Sequence, residues 1–141
     1  MEKQGVRPKF VNGLRVTDSQ SLDIVVGVLT GVINKSLVAS INSLGGRAIG
    51  ISGADGNMVN AEIADPQLGY VGKIKSVDTA PIKIILEAGY IPVIAPVGIH
   101  SDSDDHNKLL NINADTVAGY VSSAINADRM VFLTDVEGVL D

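Results

Sequence analysis

The stretch PIKIILEAGYIPVIAPV, residues 81–97, joins a short helix to a strand through a single glycine. Pro81 suits a first helical turn, because its φ is already set and its missing N–H is one that a first turn leaves unpaired. The helix is expected to run to Ala88, with Gly89 at its end. Ile91 to Val97 then reads as a strand, and Pro92 and Pro96 limit its pairing at those two points. A helix, a glycine and a strand in this order is the repeating step of an α/β fold.

The same alternation continues outward from this unit. Upstream, Met58 to Ala64 and Tyr70 to Val77 alternate as an antiparallel pair, punctuated by Asp65-Pro66 and Gly69. Before them, Arg47 to Ser52 reads as a buried strand ending in the loop Gly53-Ala54-Asp55-Gly56. A long helix precedes that strand. It opens at Thr17 or Asp18, where Thr17 with Gln20 fits a capping box, and it runs to Ser43 with Gly45 and Gly46 as its stop. Lys9 to Val16, centred on Asn12-Gly13, has the turn signal of a hairpin. Downstream, a polar loop from Ser101 to Lys108 leads to a helix ending near Ala127, a buried strand Met130 to Thr134, and a turn at Asp135-Val136-Glu137-Gly138. The expected architecture is a three-layer α/β/α sandwich with a mainly parallel sheet and right-handed connections, forming one domain or part of one over residues 1–141.

Composition narrows the function. The chain is 45% hydrophobic and 19% charged, with 2 Phe, 3 Tyr and no Trp, so its core is aliphatic. A net charge of −5, with its 11 basic residues scattered, disfavours binding driven by nucleic-acid phosphates. It leaves room for a small anion held by one well-placed arginine. Cysteine is absent, which removes disulfides and thiolate metal sites. Met1 to Phe10 carries no apolar targeting segment, and Gly, Lys and Pro are expected to break the apolar stretches well short of a membrane span; the location expected is the cytoplasm. The apolar residues of the long helix, among them Val32, Ile33 and Leu37, cover more than one stripe, so a second face needs covering by a partner subunit or a further segment.

Chemistry concentrates in Leu110-Asn111-Ile112-Asn113-Ala114-Asp115. Asn113 is a good N-cap, and Asn111 and Asp115 stand close enough to converge on a ligand at the first helical turn. The competing reading is capping alone, since Asn and Asp satisfy free N–H groups at helix starts. In an open α/β sheet ligands bind beyond the carboxyl ends of the strands, where Gly53–Gly56, Gly98–Asn113 and Thr134–Gly138 are expected to lie. Gly-Ala-Asp-Gly is neither a phosphate-binding lysine loop nor a dinucleotide fingerprint, and a plain tight turn explains it equally well. Arg15 reads on its own as a solvated arginine, and the acidic run Ser101 to Asp105 as a solvated loop. His100 and His106 have no spaced metal-ligand set around them, so no metal site is expected.

Taken in order, the segments Phe10 to Asp18 (FVNGLRVTD), Gly45 to Gly53 (GGRAIGISG), Gly69 to Ile74 (GYVGKI), Gly89 to Gly98 (GYIPVIAPVG), Asn111 to Ala118 (NINADTVA) and Leu133 to Leu140 (LTDVEGVL) resemble the acetylglutamate kinases of the amino acid kinase family. The resemblance runs through nearly the whole chain after Arg7. It implies phosphorylation of the side-chain carboxylate of N-acetyl-L-glutamate with ATP and Mg2+, a step of arginine biosynthesis. It implies that Arg15 holds the substrate α-carboxylate and that Asn111 helps to fix the same substrate. Asp115 would orient two lysines that neutralise the migrating phosphoryl group, and Thr134, Asp135 and Gly138 would lie on the nucleotide side. In-line phosphoryl transfer needs chiefly such positioning and charge neutralisation.

The sequence also departs from that pattern. Members of the family start with a strand carrying a catalytic lysine and glycines, then a Gly-Gly loop, and end with a segment bearing a second lysine. The chain is therefore expected to be an incomplete amino acid kinase domain, inactive when isolated; Lys73 and Lys75, the nearest substitutes, match a different family segment. The alternative is a non-catalytic domain that keeps acylglutamate binding or dimerisation. Homo-oligomerisation is expected. The resemblance does not extend to arginine inhibition, to dimer against hexamer, or to recognition by a PII signalling protein.

Overall fold

The protein is described by a computed structural model over residues 10–11, 14–101 and 108–133. Strands β1 (Phe10–Val11) and β2 (Leu14–Arg15) pair antiparallel with Phe10 opposite Arg15, as the hairpin reading requires; the Asn12-Gly13 tip lies outside the described residues. Helix α1 (Ser19–Ser43) starts at Asp18, whose carboxylate accepts from the Ser21 N–H at 2.8 Å. Of the two starts the sequence offered, Asp18 is the cap. Thr17 is fully buried and its backbone bridges to Gly69, so the capping box with Gln20 does not form.

Within α1 the turns at Gly27–Ile33 are π-helical, flanked by α-helical Ser19–Val26 and Asn34–Ser43. Thr30 Oγ1 donates to the Val26 carbonyl at 2.8 Å, a local back-bond of the kind that accompanies departures from α geometry. The glycines and Lys35 do not break the helix, contrary to the expectation that every apolar stretch falls short of a span. By length and composition alone α1 is long and apolar enough to cross a membrane, with a mean hydropathy of 1.9 over its most apolar window. It docks on the sheet instead. Buried Asn34 donates to the carbonyls of Val93 at 2.8 Å and Ile51 at 3.2 Å, contacts that a lipid-facing helix does not make. Only 11% of the window is buried, so the second apolar face is left uncovered by the described residues.

After Gly45 (φ 86), β3 (Ala48–Ser52) follows, then the antiparallel hairpin of β4 (Val59–Ile63) and β5 (Gly72–Val77) and helix α2 (Ala80–Glu87). Next come β6 (Ile91–Ala95), β7 (Val97–His100), β8 (Leu109–Asn111) and helix α3 (Ala114–Ala124). Residues 91–97 thus form two strands where one was expected. β6 lies parallel to β3, whereas β7, beyond Pro96, enters a second sheet of order β5-β4-β7-β8, parallel to β4 and antiparallel to β8. Pro96 lacks the N–H that would carry the ladder on, so the chain changes sheet there.

The fold is α/β with parallel pairs at β3–β6 and β4–β7, and the β4–β5 and β7–β8 hairpins add antiparallel pairing. The layers follow from strand alternation. A Cβ on Gly50 would collide with Asn34, so that face of β3 meets α1. Ile51 and Ile94 point the other way and pack against the core cluster, which includes Ile82 of α2 and Val117 and Val121 of α3. Met58, Val59, Ala61 and Leu110 complete a core without aromatic rings at its centre.

Three further expectations change. Gly98 belongs to β7 and Leu109–Asn111 to β8, both assigned to a loop in the sequence; three residues are too few to show a strand's alternation, and the partner edge of β7 supplies the order. Helix α3 stops at Ala124 with Ile125 as its cap rather than near Ala127. Met130–Leu133 is not a buried strand: Val131 is 77% and Leu133 96% exposed, and no strand pairing forms there among the described residues. Apolar composition favours a strand only where an edge and a face receive it.

Candidate functional site

Asn111 ends β8 and Asn113 caps α3 two residues later, accepting from the Thr116 N–H at 2.9 Å and the Thr116 hydroxyl at 3.1 Å. Asn113 is therefore a cap, as read. Asn111 is not occupied in that way. Its backbone N–H donates to the Tyr70 carbonyl at 2.9 Å, and its side-chain amide donates to Thr17 Oγ1 at 3.2 Å. Asp115 stands exposed in the first turn of α3, where a carboxylate is favoured by the unpaired N–H groups. It lines a 540 Å³ cavity with Val77, Thr116, Gly119 and Tyr120.

The backbone brings Arg15 to this place from far away in sequence. Arg15 closes β2, and Thr17, two residues on, is clamped by Leu68 and Tyr70: its N–H donates to the Leu68 carbonyl at 2.9 Å, and its carbonyl accepts from the Tyr70 N–H at 2.7 Å. Two residues span at most about 7 Å of chain. The foot of the hairpin is thus held beside Asn111. Gly69 makes the clamp possible, since it adopts φ 69 and a Cβ there would strike the Thr17 carbonyl.

A 450 Å³ cavity opens next to this clamp, lined by Asp18, Gly69, Tyr70, His100 and Lys108 among others. The Lys108 ammonium sits 5.7 Å from the centre of the Tyr70 ring. His100 Nδ1 is buried without a hydrogen-bond partner among the described residues.

Other candidates are used structurally or lie elsewhere. The Gly53–Gly56 loop is closed by its own contacts, with the Asp55 carboxylate accepting from the Ser52 N–H at 2.6 Å and the Ser52 hydroxyl at 2.8 Å. That favours the tight-turn reading over a phosphate cradle. Lys73 and Lys75 reach Glu62 across the hairpin at 3.8 Å and 4.0 Å. Thr134, Asp135 and Gly138, with Asp102, Asp104, Asp105 and His106, lie outside the described residues. Among the described residues no three His, Cys, Asp or Glu side chains gather as metal ligands. Sequence reasoning passed over Thr17 as anything but a cap candidate; its only visible signal was its place between Arg15 and the start of α1.

Comparison with known proteins adds an independent line. The sequence profile of the amino acid kinase family matches residues 1–141. An acetylglutamate kinase of Caldanaerobacter subterraneus subsp. tengcongensis is 50% identical over 143 residues, covering 100% of this chain and 46% of that protein. The chain thus spans about half the length of such relatives. Among solved structures, smu.665 from Streptococcus mutans UA159 superposes with a TM-score of 0.88 at 32% identity, over 100% of this chain and 56% of that one. The N-acetylglutamate synthase from Neisseria gonorrhoeae, complexed with coenzyme A and N-acetyl-glutamate, gives a TM-score of 0.76 at 26% identity, over 98% of this chain and 31% of that one.

Proposed function

Since the chain belongs to the amino acid kinase family, we propose that it is part of an acetylglutamate kinase, which phosphorylates the side-chain carboxylate of N-acetyl-L-glutamate with MgATP in the cytoplasm. The observation that supports this most is the convergence at Thr17. Hydrogen bonds there join the backbone that follows β2 to Asn111, so the strand that carries Arg15 ends near an amide remote from it in sequence, a pairing of residue types suited to one acylamino-acid carboxylate. Arg15 binds that α-carboxylate and Asn111 fixes the same substrate. Asp115, at a helix start open to a cavity, holds the lysine ammonium groups that offset charge on the transferring phosphoryl. Thr134, Asp135 and Gly138 serve the nucleotide by resemblance alone. Mg2+ is assigned to the ATP phosphates, in keeping with an ion that keeps most of its waters and takes few protein ligands. The apolar outer face of α1 points to a homo-oligomer.

The test is turnover by the full-length protein. With N-acetyl-L-glutamate and MgATP it should release ADP and form an acyl phosphate, which hydroxylamine traps as a hydroxamate. ADP release that ignores acetylglutamate, or no hydroxamate, rejects the assignment. The synthase similarity favours one other reading, a kinase-like domain that binds acylglutamate without transferring phosphate. Saturable acetylglutamate binding without ADP release would select it.

A further inference from the structure

We infer that Thr17 is a positioning residue, which locks the Asn111 side-chain amide and ties it to the hairpin strand carrying Arg15. The inference rests on the acetylglutamate reading and deepens it. Thr17 is fully buried, and its backbone is fixed on both sides, by the Leu68 carbonyl and the Tyr70 N–H. Tyr70 in turn accepts the backbone N–H of Asn111, so one short segment, Leu68 to Tyr70, holds both the hairpin foot and the end of β8. The side-chain bond from Asn111 Nδ2 to Thr17 Oγ1 at 3.2 Å closes the loop of contacts.

A primary amide has two N–H bonds and one carbonyl oxygen. With one N–H committed to Thr17, the amide plane can no longer rotate about its last torsion, and its remaining N–H and oxygen are held in fixed directions for a ligand. Without the hydroxyl the amide turns freely and must be ordered again each time substrate binds. The loss should fall on the acylated amino acid, because the linkage joins Asn111 to the strand that carries Arg15, the two residues assigned to that substrate.

The experiment uses the full-length enzyme and three measurements. Thr17→Val keeps the shape and removes the hydroxyl; the KM for acetylglutamate should rise roughly tenfold, as for one lost hydrogen bond to a bound group, with the KM for ATP unchanged. Thr17→Ser should recover most of that loss. An unchanged acetylglutamate KM in Thr17→Val, equal losses toward both substrates, or a Ser variant as impaired as Val overturns the inference, the last by making the methyl group rather than the hydroxyl responsible. Should the Val variant not fold, the Ser variant decides by itself, since a KM well above wild type removes the hydroxyl from the argument. Exchange of the Asn111 side-chain amide protons, followed by NMR without substrate, is independent of the proposed reaction. It should quicken in Thr17→Val and stay slow in Thr17→Ser, and equal exchange in wild type and Val overturns the lock even if the enzyme proves to act on another substrate.

Discussion

The side-chain amide of Asn34 lies 2.8 Å from the carbonyl oxygen of Val93, and the same nitrogen reaches the Ile51 carbonyl at 3.2 Å. One residue of α1 therefore bonds to both parallel strands, β3 and β6, at the point where Gly50 leaves room for it. Replacing Asn34 with Leu removes these donors and puts branched carbon against buried carbonyls. The change should destabilise the protein by about 1–3 kcal/mol, the usual cost of leaving buried polar groups unmet. Urea unfolding of the full-length variant measures it, and a midpoint equal to wild type would show that these two bonds add nothing to the docking of the helix.

Arg15 is expected to govern affinity for the acylated amino acid. A charge-assisted bond to a carboxylate contributes about 1.5–3 kcal/mol, so Arg15→Ala should weaken acetylglutamate use by roughly 10- to 100-fold. The KM for ATP should barely move. Steady-state kinetics with each substrate varied in turn gives the answer, and parallel losses would assign Arg15 to the hairpin's structure.

Asp115→Asn keeps the side chain's size and its ability to accept from helix N–H groups, and removes its charge. If the carboxylate orients cations at the transferring phosphoryl, turnover should fall by roughly 100-fold or more while substrate affinities change little, the pattern of an interaction made in the transition state. A variant with normal kcat and a lowered melting temperature would mark Asp115 as part of the helix start only.

Local chemistry made much of this legible in the sequence. Gly89 and Gly45 end helices with φ of 76 and 86, Asn113 caps α3, and Pro81 opens α2, each an effect that residues exert on their immediate backbone. What failed depended on neighbours. β8 exists because β7 offers an edge, and Pro96 acts as a switch between sheets because each sheet has a place for the strand that leaves it. The Met130–Leu133 run has the composition of a buried strand but no partner among the described residues. The candidate site divides in the same way: the run at the helix start pointed to Asn111 and the resemblance to Arg15, whereas the contacts of Thr17 are made with Leu68, Tyr70 and Asn111, none of them near it in sequence.

The outer face of α1 yields the last expectation. Val32, Ile33 and Leu37 are 67%, 45% and 51% exposed, and they lie on a helix whose opposite side is already taken up by β3 and β6. Apolar surface of this kind is costly in water and would be covered if two copies associated about a two-fold axis. In such an interface every residue counts twice. Burial of a leucine contributes about 1.5–3 kcal/mol, so Leu37→Glu, which also introduces a charge that must stay hydrated, should weaken self-association by roughly 100-fold or more. Sedimentation velocity of the full-length protein across a concentration series should show the wild type as an oligomer and the variant shifted toward monomer at the same concentration, with a far-ultraviolet spectrum that is unchanged because Leu37 contributes little to the fold. An oligomer of undiminished affinity would mean that copies meet through another surface and that a further segment of the protein covers α1.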